Sequence, residues 1–422
     1  MEHISNTLFR RVANQVPGHA LSGVECDLFV HDSGLDIRPS SEAQDESEYV
    51  VDGSHLTLLP GLIELHAEAN QPGREDREAL AELAQLAAMG GFTHVVTMPL
   101  TVPVTDQCQG IEYQLKTAQN ELVQLLPAGA VTKKSDGLEL AEMYDMRGAG
   151  AIAFSDYKRR IKNTKLLLLA MQYAKQLEVP LMLTPGDSDL LRYGMVHEGI
   201  FSTRLGLKSI PSIAESIGLK RDLDLVRYTG CRVHFQSIST IESIELIRKA
   251  KDEGLPVTAD VNFYHLLLTD AMLENFDSNY KTDPPLRDDV TQDALIKAVK
   301  DGTIDAISAD HQPRTFEEKI CEFDKAEYGM LTLPFVFGTL IESGLFSLDL
   351  LMEKMCINPA KILGLSTENI KSYCLVDLDK THVIKKDDFS DFRSLNSPFF
   401  DRRLKGKIAY VVNKNTCLKN SF

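Results

Sequence analysis

The sequence has no tryptophan, no Cys-x-x-Cys pair and no excess of positive charge. Its 45 Lys and Arg residues are outnumbered by 61 Asp and Glu, and the resulting net charge of −16 disfavours non-specific binding to nucleic acid or anionic membranes. No apolar run reaches the roughly 18 residues of a membrane-spanning helix, and the first residues lack the basic stretch and apolar core of a secretory signal. These absences predict a cytoplasmic protein that binds neither nucleic acid nor membrane.

The seven cysteines are scattered along the chain and their number is odd. This distribution argues against a disulfide framework and against a zinc site built from thiolates. Apolar residues make up 43% of the 422 positions, which is enough material for a large core. We therefore expect a globular protein whose cysteines are free thiols.

From about residue 56, strand-like apolar segments alternate with helical ones, for example helices at residues 77–88 and 107–125 and a strand at 151–155. About eight such units between residues 61 and 310 match the size of a (β/α)8 barrel, which spans roughly 250 residues. The second possibility is an open, doubly wound sheet. That fold requires a glycine-rich phosphate turn after the first strand. Here the first strand ends in His66-Ala67-Glu68, so the barrel is favoured.

Strand-like fragments also occur near both chain ends, at residues 26–30, 373–376 and 407–412. They predict a small β-domain, built from both ends, that flanks the barrel. The predicted boundaries are residues 1–55 for the N-terminal part of this domain, 56–362 for the barrel and 363–422 for the C-terminal part.

Several motifs along the barrel resemble those of the dihydroorotase family. Residues 60–73, PGLIELHAEANQPG, resemble the family pattern P-G-L-I-D-L-H-x-H-F-R-E-P-G. Residues 233–240, VHFQSIST, resemble H-I-Q-H-V-S-T, and residues 280–287, YKTDPPLR, resemble Y-K-V-N-P-P-L-R. The resemblance implies an amidohydrolase barrel with its site at the C-terminal ends of the strands.

The resemblance also implies two divalent metals, held by four histidines and two aspartates, that activate the hydroxide attacking a ring amide. Thr184 and Ser237 stand where the family has histidine, and a hydroxyl is a poor zinc ligand beside imidazole. We therefore expect no metal cofactor, although zinc could still bind weakly at a single site. Four residues remain as vestigial ligands, the last also as vestigial general base: His66, Glu68, Asp156 and Asp310.

The family's substrate contacts are changed as well. Asn70 replaces an arginine that pairs with the substrate carboxylate, and Leu100 replaces an asparagine with the same task. Asp283 replaces another asparagine and would repel an anionic substrate, whereas Arg314, at a histidine position, could attract one. The mouth of the barrel is therefore expected to have lost the family's mode of recognition.

These substitutions favour a non-catalytic member of the family. The resemblance implies a structural partner of the catalytic chain of aspartate carbamoyltransferase in pyrimidine biosynthesis, within a homo- or hetero-oligomer. The alternative is a zinc-dependent dihydroorotase, or a related hydrolase of cyclic amides, with an altered metal site. A third hypothesis is a binding protein for a small anion held by Arg314.

Overall fold

The computed structural model describes residues 2–4, 6–31, 34–40, 47, 49–366, 371–413 and 415–420. The strands are β1 (Glu2–Ile4), β2 (Thr7–Asn14), β3 (Glu25–His31), β4 (Gly34–Pro39), β5 (Tyr49–Asp52), β6 (Thr57–Pro60), β7 (Leu62–Glu68), β8 (Phe92–Met98), β9 (Gln124–Pro127), β10 (Leu181–Leu183), β11 (Val196–His197), β12 (Ser209–Ile210), β13 (Val233–Phe235), β14 (Val257–Asn262), β15 (Ala306–Ser308), β16 (Ser372–Val383), β17 (Arg403–Asn413) and β18 (Thr416–Lys419). The α-helices are α1 (Leu80–Met89), α2 (Cys108–Thr117), α3 (Met143–Ala149), α4 (Thr164–Leu177), α5 (Ser188–Leu191), α6 (Ile200–Leu205), α7 (Ile213–Thr229), α8 (Ile241–Asp252), α9 (Asp289–Lys300), α10 (Phe316–Lys319), α11 (Val336–Ser343), α12 (Leu348–Met352) and α13 (Asn358–Leu363).

A ring of parallel strands forms the centre of the molecule. Strands β7, β8 and β9 pair in parallel, and so do β10, β13, β14 and β15. Phe154 lies between the two groups and forms parallel bridges with Gly129 and Leu181. The ring closes where the Glu68 amide donates to the His311 carbonyl oxygen at 2.9 Å. These strand positions confirm the predicted (β/α)8 barrel.

A buried carboxylate joins the first barrel strand to the segment that follows the last one. Glu64, with no exposed side-chain area, accepts hydrogen bonds from Ser308 Oγ and Ala309 N, both at 2.6 Å. It also accepts from the backbone amides of His66 and Asp310. Burial raises the pKa of Glu64. Burying a carboxylate without hydrogen-bond donors costs several kcal/mol. The donors to Glu64, which include the amides of His66 and Asp310, are therefore held in place around it.

The second sheet is built from both chain ends, in the order β1-β18-β17-β16-β6-β2-β3-β4, with β5 paired to β2. Its existence confirms the predicted flanking β-domain. Strand β6 belongs to this sheet, because it pairs antiparallel with β16 and parallel with β2. The boundaries at residues 55 and 362 stay predictions.

Two elements differ from the sequence-based expectation. The helix predicted over residues 107–125 ends at Thr117, because residues 124–127 form β9 and pair with His94 to Thr97 of β8. The strand predicted over residues 151–155 is reduced to the bridges of Phe154. In both places, tertiary pairing decides the structure more than local propensity does.

None of the helices among the described residues is both long enough and apolar enough to cross a membrane.

Gly218 in α7 packs directly on the backbone of Gly186, three residues after β10. A Cβ at position 218 would lie 2.7 Å from Gly186 Cα. Because backbone atoms cannot rotate away, we expect Gly218→Ala to lower the free energy of unfolding by about 1–3 kcal/mol, measured by urea denaturation. Gly148→Ala is the control. Gly148 lies in α3 with open space around its Cα, so alanine there should be neutral or stabilising by up to about 1 kcal/mol. Equal effects of the two substitutions would contradict this reading of the contact.

Candidate active site at the barrel mouth

His66, near the end of β7, lies between two buried carboxylates. Its Nε2 is 3.0 Å from Asp260 Oδ2 and its Nδ1 is 3.2 Å from Asp310 Oδ1, and none of the three side chains is exposed to solvent. Burial alone would lower the pKa of His66, but the two carboxylates outweigh it and raise the pKa to about 10. At neutral pH the ring is therefore an imidazolium whose two N–H groups donate to Asp260 and Asp310.

Asp310 is the most heavily hydrogen-bonded side chain of the mouth. Its Oδ2 accepts from Lys158 Nζ at 2.7 Å. Burial raises the pKa of Asp310, but the nearby Lys158 and His66 outweigh it and leave the pKa strongly lowered. A carboxylate with so low a pKa is a weak base, so the arrangement does not suit the general-base role predicted for Asp310. The other donors to its carboxylate are His66, Tyr157, Asn262, Tyr264 and Gln312.

Asp260 is a member of the site that the sequence analysis missed. Besides His66, its carboxylate contacts His234 Nε2 at 2.8 Å and accepts from the Ser237 amide at 2.8 Å. Burial raises the pKa of Asp260, and the charge of His66 together with the bond to His234 lowers it to a greater extent. The only signal in the sequence was a polar residue close to the end of the apolar strand that begins at Val257.

Glu68 and Arg314, predicted as a metal ligand and an anion contact, bind each other. Arg314 donates from both terminal nitrogens to the two oxygens of Glu68, and the Nη2–Oε1 distance is 2.8 Å. Bidentate pairs of this kind are among the stronger charge-assisted hydrogen bonds. Glu68 therefore faces a cation where the family has a metal.

Asp283 is also paired, with Arg160, at 2.8 Å and 3.1 Å from the two terminal guanidinium nitrogens. Burial raises the pKa of Asp283, but Arg160 outweighs it and keeps the pKa lowered. The expected repulsion of an anionic substrate by Asp283 is therefore wrong, because Arg160 neutralises that carboxylate. The sequence analysis missed Arg160, which lies 123 positions away in the chain.

Two buried hydrogen-bond donors in this region have no partner among the described residues. They are Asn70 Nδ2 and Arg314 Nε. Each of the two residues is only 5% exposed. Leaving a buried donor unsatisfied costs about 1–3 kcal/mol. Asn70 lies two residues beyond Glu68, the partner of Arg314.

The side chains at the remaining predicted positions contact residues other than His66. Asp156 accepts from the amides of Val131 and Thr132 at 2.9 Å and 3.0 Å, and burial raises its pKa to about 6. Thr184 Oγ1 lies 3.4 Å from Gln236 Oε1, and Ser237 donates to Asn262 Oδ1 at 2.9 Å. Leu100 packs on an apolar cluster inside the barrel.

These contacts show that the residues present do not fit the family's dinuclear metal centre. Both ring nitrogens of His66 face carboxylates, those of Asp260 and Asp310, and Glu68 is bound to Arg314. Within the described ranges, no group of three or more His, Cys, Asp and Glu side chains could hold a metal ion. The absence of a bound metal itself stays a prediction.

Three residues at strand ends have left-handed backbone conformations. They are Tyr157, Ser237 and Asp310, with φ angles of 51°, 57° and 48°. Such conformations cost about 1–3 kcal/mol each for non-glycine residues and cluster at functional sites. Here they turn the chain at the mouth and direct Tyr157 and Asp310 toward each other, with Tyr157 donating to Asp310 at 2.6 Å.

Comparison with known proteins shows the family to which this chain belongs. A sequence profile described as Dihydro-orotase-like matches residues 56–243. The chain is 39% identical over 372 residues to a dihydroorotase of Thermoanaerobacter sp., covering 86% of each chain. It is 35% identical over 404 residues to a dihydroorotase of Acetivibrio thermocellus, covering 93% of this chain and 94% of that one. This chain belongs to the dihydroorotase family.

Solved structures support the fold of this dihydroorotase family member. The L-hydantoinase (dihydropyrimidinase) of Arthrobacter aurescens superposes with a TM-score of 0.83 and 21% identity, covering 98% of this chain and 95% of that one. A D-hydantoinase of a Thermus species gives a TM-score of 0.80 and 19% identity, covering 97% and 94%. At these identities the likeness shows the shared barrel and flanking sheet.

The interpretation of the chain as a non-catalytic partner of aspartate carbamoyltransferase is wrong on this comparison. The relatives that match most of its length, at 35% to 39% identity, are named dihydroorotases. They favour the alternative, in which this dihydroorotase family member hydrolyses a ring amide. The substituted ligands alone do not place the chain in an inactive subgroup.

Proposed function

We propose that this protein hydrolyses the ring amide of dihydroorotate, or of a closely related cyclic amide, at the mouth of its barrel. The observation that carries the proposal is the identity of 39% to a dihydroorotase, spread over 86% of both chains. The C-terminal ends of barrel strands are also where this fold places its chemistry.

The unsatisfied donors suit the recognition of such a substrate. Asn70 Nδ2 and Arg314 Nε are buried and lack acceptors, and the carboxylate and ring carbonyls of the substrate are acceptors that such donors can bind. Asn70 occupies the position of the family's carboxylate-binding arginine and can donate to the same group. The charge of Arg314 is balanced by Glu68, so Arg314 contributes a second N–H donor and no net charge. A buried donor that gains an acceptor on binding recovers about 1–3 kcal/mol.

Ring opening breaks the bond between the carbonyl carbon and the ring nitrogen. Water adds a hydroxyl to that carbon, and the nitrogen takes up a proton. Negative charge develops on the carbonyl oxygen, and a fixed donor in a dry site stabilises it strongly. We assign this task to Lys158, whose side chain is 11% exposed and held by Asp310 at 2.7 Å. Asp310 then acts as a positioning residue.

No step of this scheme passes through a metal, because the side chains at the family's ligand positions form hydrogen bonds or ion pairs with other residues of the chain. We therefore expect purified protein to contain far less than one zinc per chain and to open dihydroorotate at a rate that a chelator does not change. Both expectations are checked on one sample. Elemental analysis measures its zinc content, and a hydrolysis assay measures its activity on dihydroorotate and on hydantoin as a second substrate. If neither substrate is ring-opened, the proposed function is wrong. If a chelator abolishes turnover, the metal-free scheme is wrong.

We further propose that the protein acts in the cytoplasm. In the structure, all seven cysteines are free, as a reducing compartment requires. Association with the catalytic chain of aspartate carbamoyltransferase and the oligomeric state stay predictions from the resemblance.

A further inference from the structure

A basic cavity of about 500 Å3 opens beside the barrel mouth. It lies between the loop at residues 135–138, the segment 158–163 and the short helix α5 with the residue that follows it. Its volume falls within the range of about 300–1,000 Å3 that is typical of small-molecule sites. One carboxylate, Asp136, faces five cations there: Lys158, Arg159, Arg160, Lys162 and Arg192.

Such a cluster is unexpected in a chain with a net charge of −16. Like charges gathered in one concave surface repel one another, so they indicate attraction of an opposite charge from outside. Three of the five cations are already neutralised by acids of the chain. Lys158 binds Asp310, Arg160 binds Asp283, and Lys162 pairs with the exposed Asp189.

The other two cations, Arg159 and Arg192, form no ion pair in the described part of the chain. Arg159 donates one N–H to the Lys134 carbonyl oxygen at 3.0 Å. Arg192 lies over the ring of Tyr193, 4.8 Å from its centroid. Both side chains are exposed, and each guanidinium has further N–H groups in the fork geometry that binds two oxygens of one phosphate or carboxylate.

Helix α4 adds its positive end to the same cavity. Asn163, its N-cap residue, lines the cavity and accepts a hydrogen bond from Leu166 N at 3.2 Å. The helix runs for 14 residues, so the partial positive charge of its first turn is fully developed. A helix N-terminus of this kind favours an anion placed before its first residues.

We propose that this cavity is a binding site for a small organic phosphate. Two unpaired guanidinium groups and a helix N-terminus suit a dianion with several oxygens better than a single carboxylate. The cavity exceeds the size of an inorganic ion, so a phosphate ester fills it. The proposal is independent of ring opening, although Lys158 borders both sites.

Isothermal titration of the full-length protein with inorganic pyrophosphate, at constant ionic strength, tests the site. We expect one pyrophosphate per chain and a Kd that rises by roughly tenfold or more in the double variant Arg159→Gln with Arg192→Gln. The single variant Asp136→Asn, which removes the opposing charge, should lower Kd. Thermal unfolding of each variant shows that the exposed substitutions leave the fold intact.

The matched control is Lys325→Gln with Arg403→Gln. It removes the same charge from exposed ion pairs elsewhere on the molecule. This variant should bind pyrophosphate as the wild type does. The proposal is overturned if millimolar pyrophosphate does not bind. It is also overturned if both double variants weaken pyrophosphate binding equally, because that result reports only a general effect of net charge. Ring-opening activity is read separately, so its absence does not affect this test.

Discussion

Replacing Asp260 with asparagine lowers the free energy of unfolding by about 3–5 kcal/mol near pH 6. The reason is the position of His66, whose imidazolium donates to Asp260 at 3.0 Å and to Asp310 at 3.2 Å with no exposure to solvent. Removing one carboxylate leaves a buried positive charge without its strongest partner. Asparagine keeps the shape of the side chain, so the loss reports the charge and not a cavity.

The cost of Asp260→Asn depends on pH in a defined direction. The folded-state pKa of His66 is raised from 6.5 to about 10. A raised pKa means that the stabilisation is complete below pH 6.5 and is lost as the pH rises through about 10. The difference in stability between wild type and variant should therefore shrink at high pH. Comparing the two proteins cancels the titration of other groups.

Urea denaturation across this pH range measures both effects. The control is Asp52→Asn, because Asp52 is an exposed carboxylate whose ion pair with Arg11 lies at the surface. That substitution should leave the free energy of unfolding unchanged within error at every pH. If Asp260→Asn costs no more than the control, or if its cost is the same at pH 6 and above pH 10, His66 is not the buried cation described here.

The second large effect is on turnover. If Lys158 stabilises the carbonyl oxygen during ring opening, Lys158→Met lowers kcat by roughly 10²–10³-fold, the loss seen when one oxyanion donor is removed. KM should change much less, because recognition rests on Asn70 and Arg314. Lys158→Arg keeps a cation and should retain more activity than the methionine variant.

Lys162→Met is the matched control for this experiment. Lys162 lies on the same segment, but its partner is the exposed Asp189 and it does not contact Asp310. Its replacement should leave kcat unchanged. A Lys158→Met enzyme with the kcat of wild type would remove Lys158 from the mechanism, while a rise in KM alone would make it a binding residue.

The fold and half of the site could be predicted from the sequence. The alternation of apolar strands and helices predicted the barrel, and the polar residues after the first and last strands located His66 and Asp310. The hydroxyls at Thr184 and Ser237 predicted a broken cluster of metal ligands, and the absence of a metal stays a prediction. These features are local, so short stretches of sequence carry them.

The ion pairs of the mouth could not be predicted in the same way. His66 and Asp260 are 194 positions apart, and Arg160 and Asp283 are 123 apart. The closure of the barrel and the side-chain geometry decide which cation pairs with which carboxylate. A short sequence pattern contains no information on either. For the same reason Asp283 was expected to repel an anion, when Arg160 in fact neutralises it.

The sheet shared by the two chain ends has a consequence for synthesis on the ribosome. Strand β6 emerges early, but its partner β16 follows some 314 positions later, as the contact of Pro60 with Cys374 shows. At about 5–20 residues per second, the growing chain carries an unpaired strand edge for tens of seconds. Open edges of this kind recruit other strands and promote aggregation. Production of this protein should therefore depend on chaperones that cover the N-terminal strands until β16, which begins at Ser372, has been made.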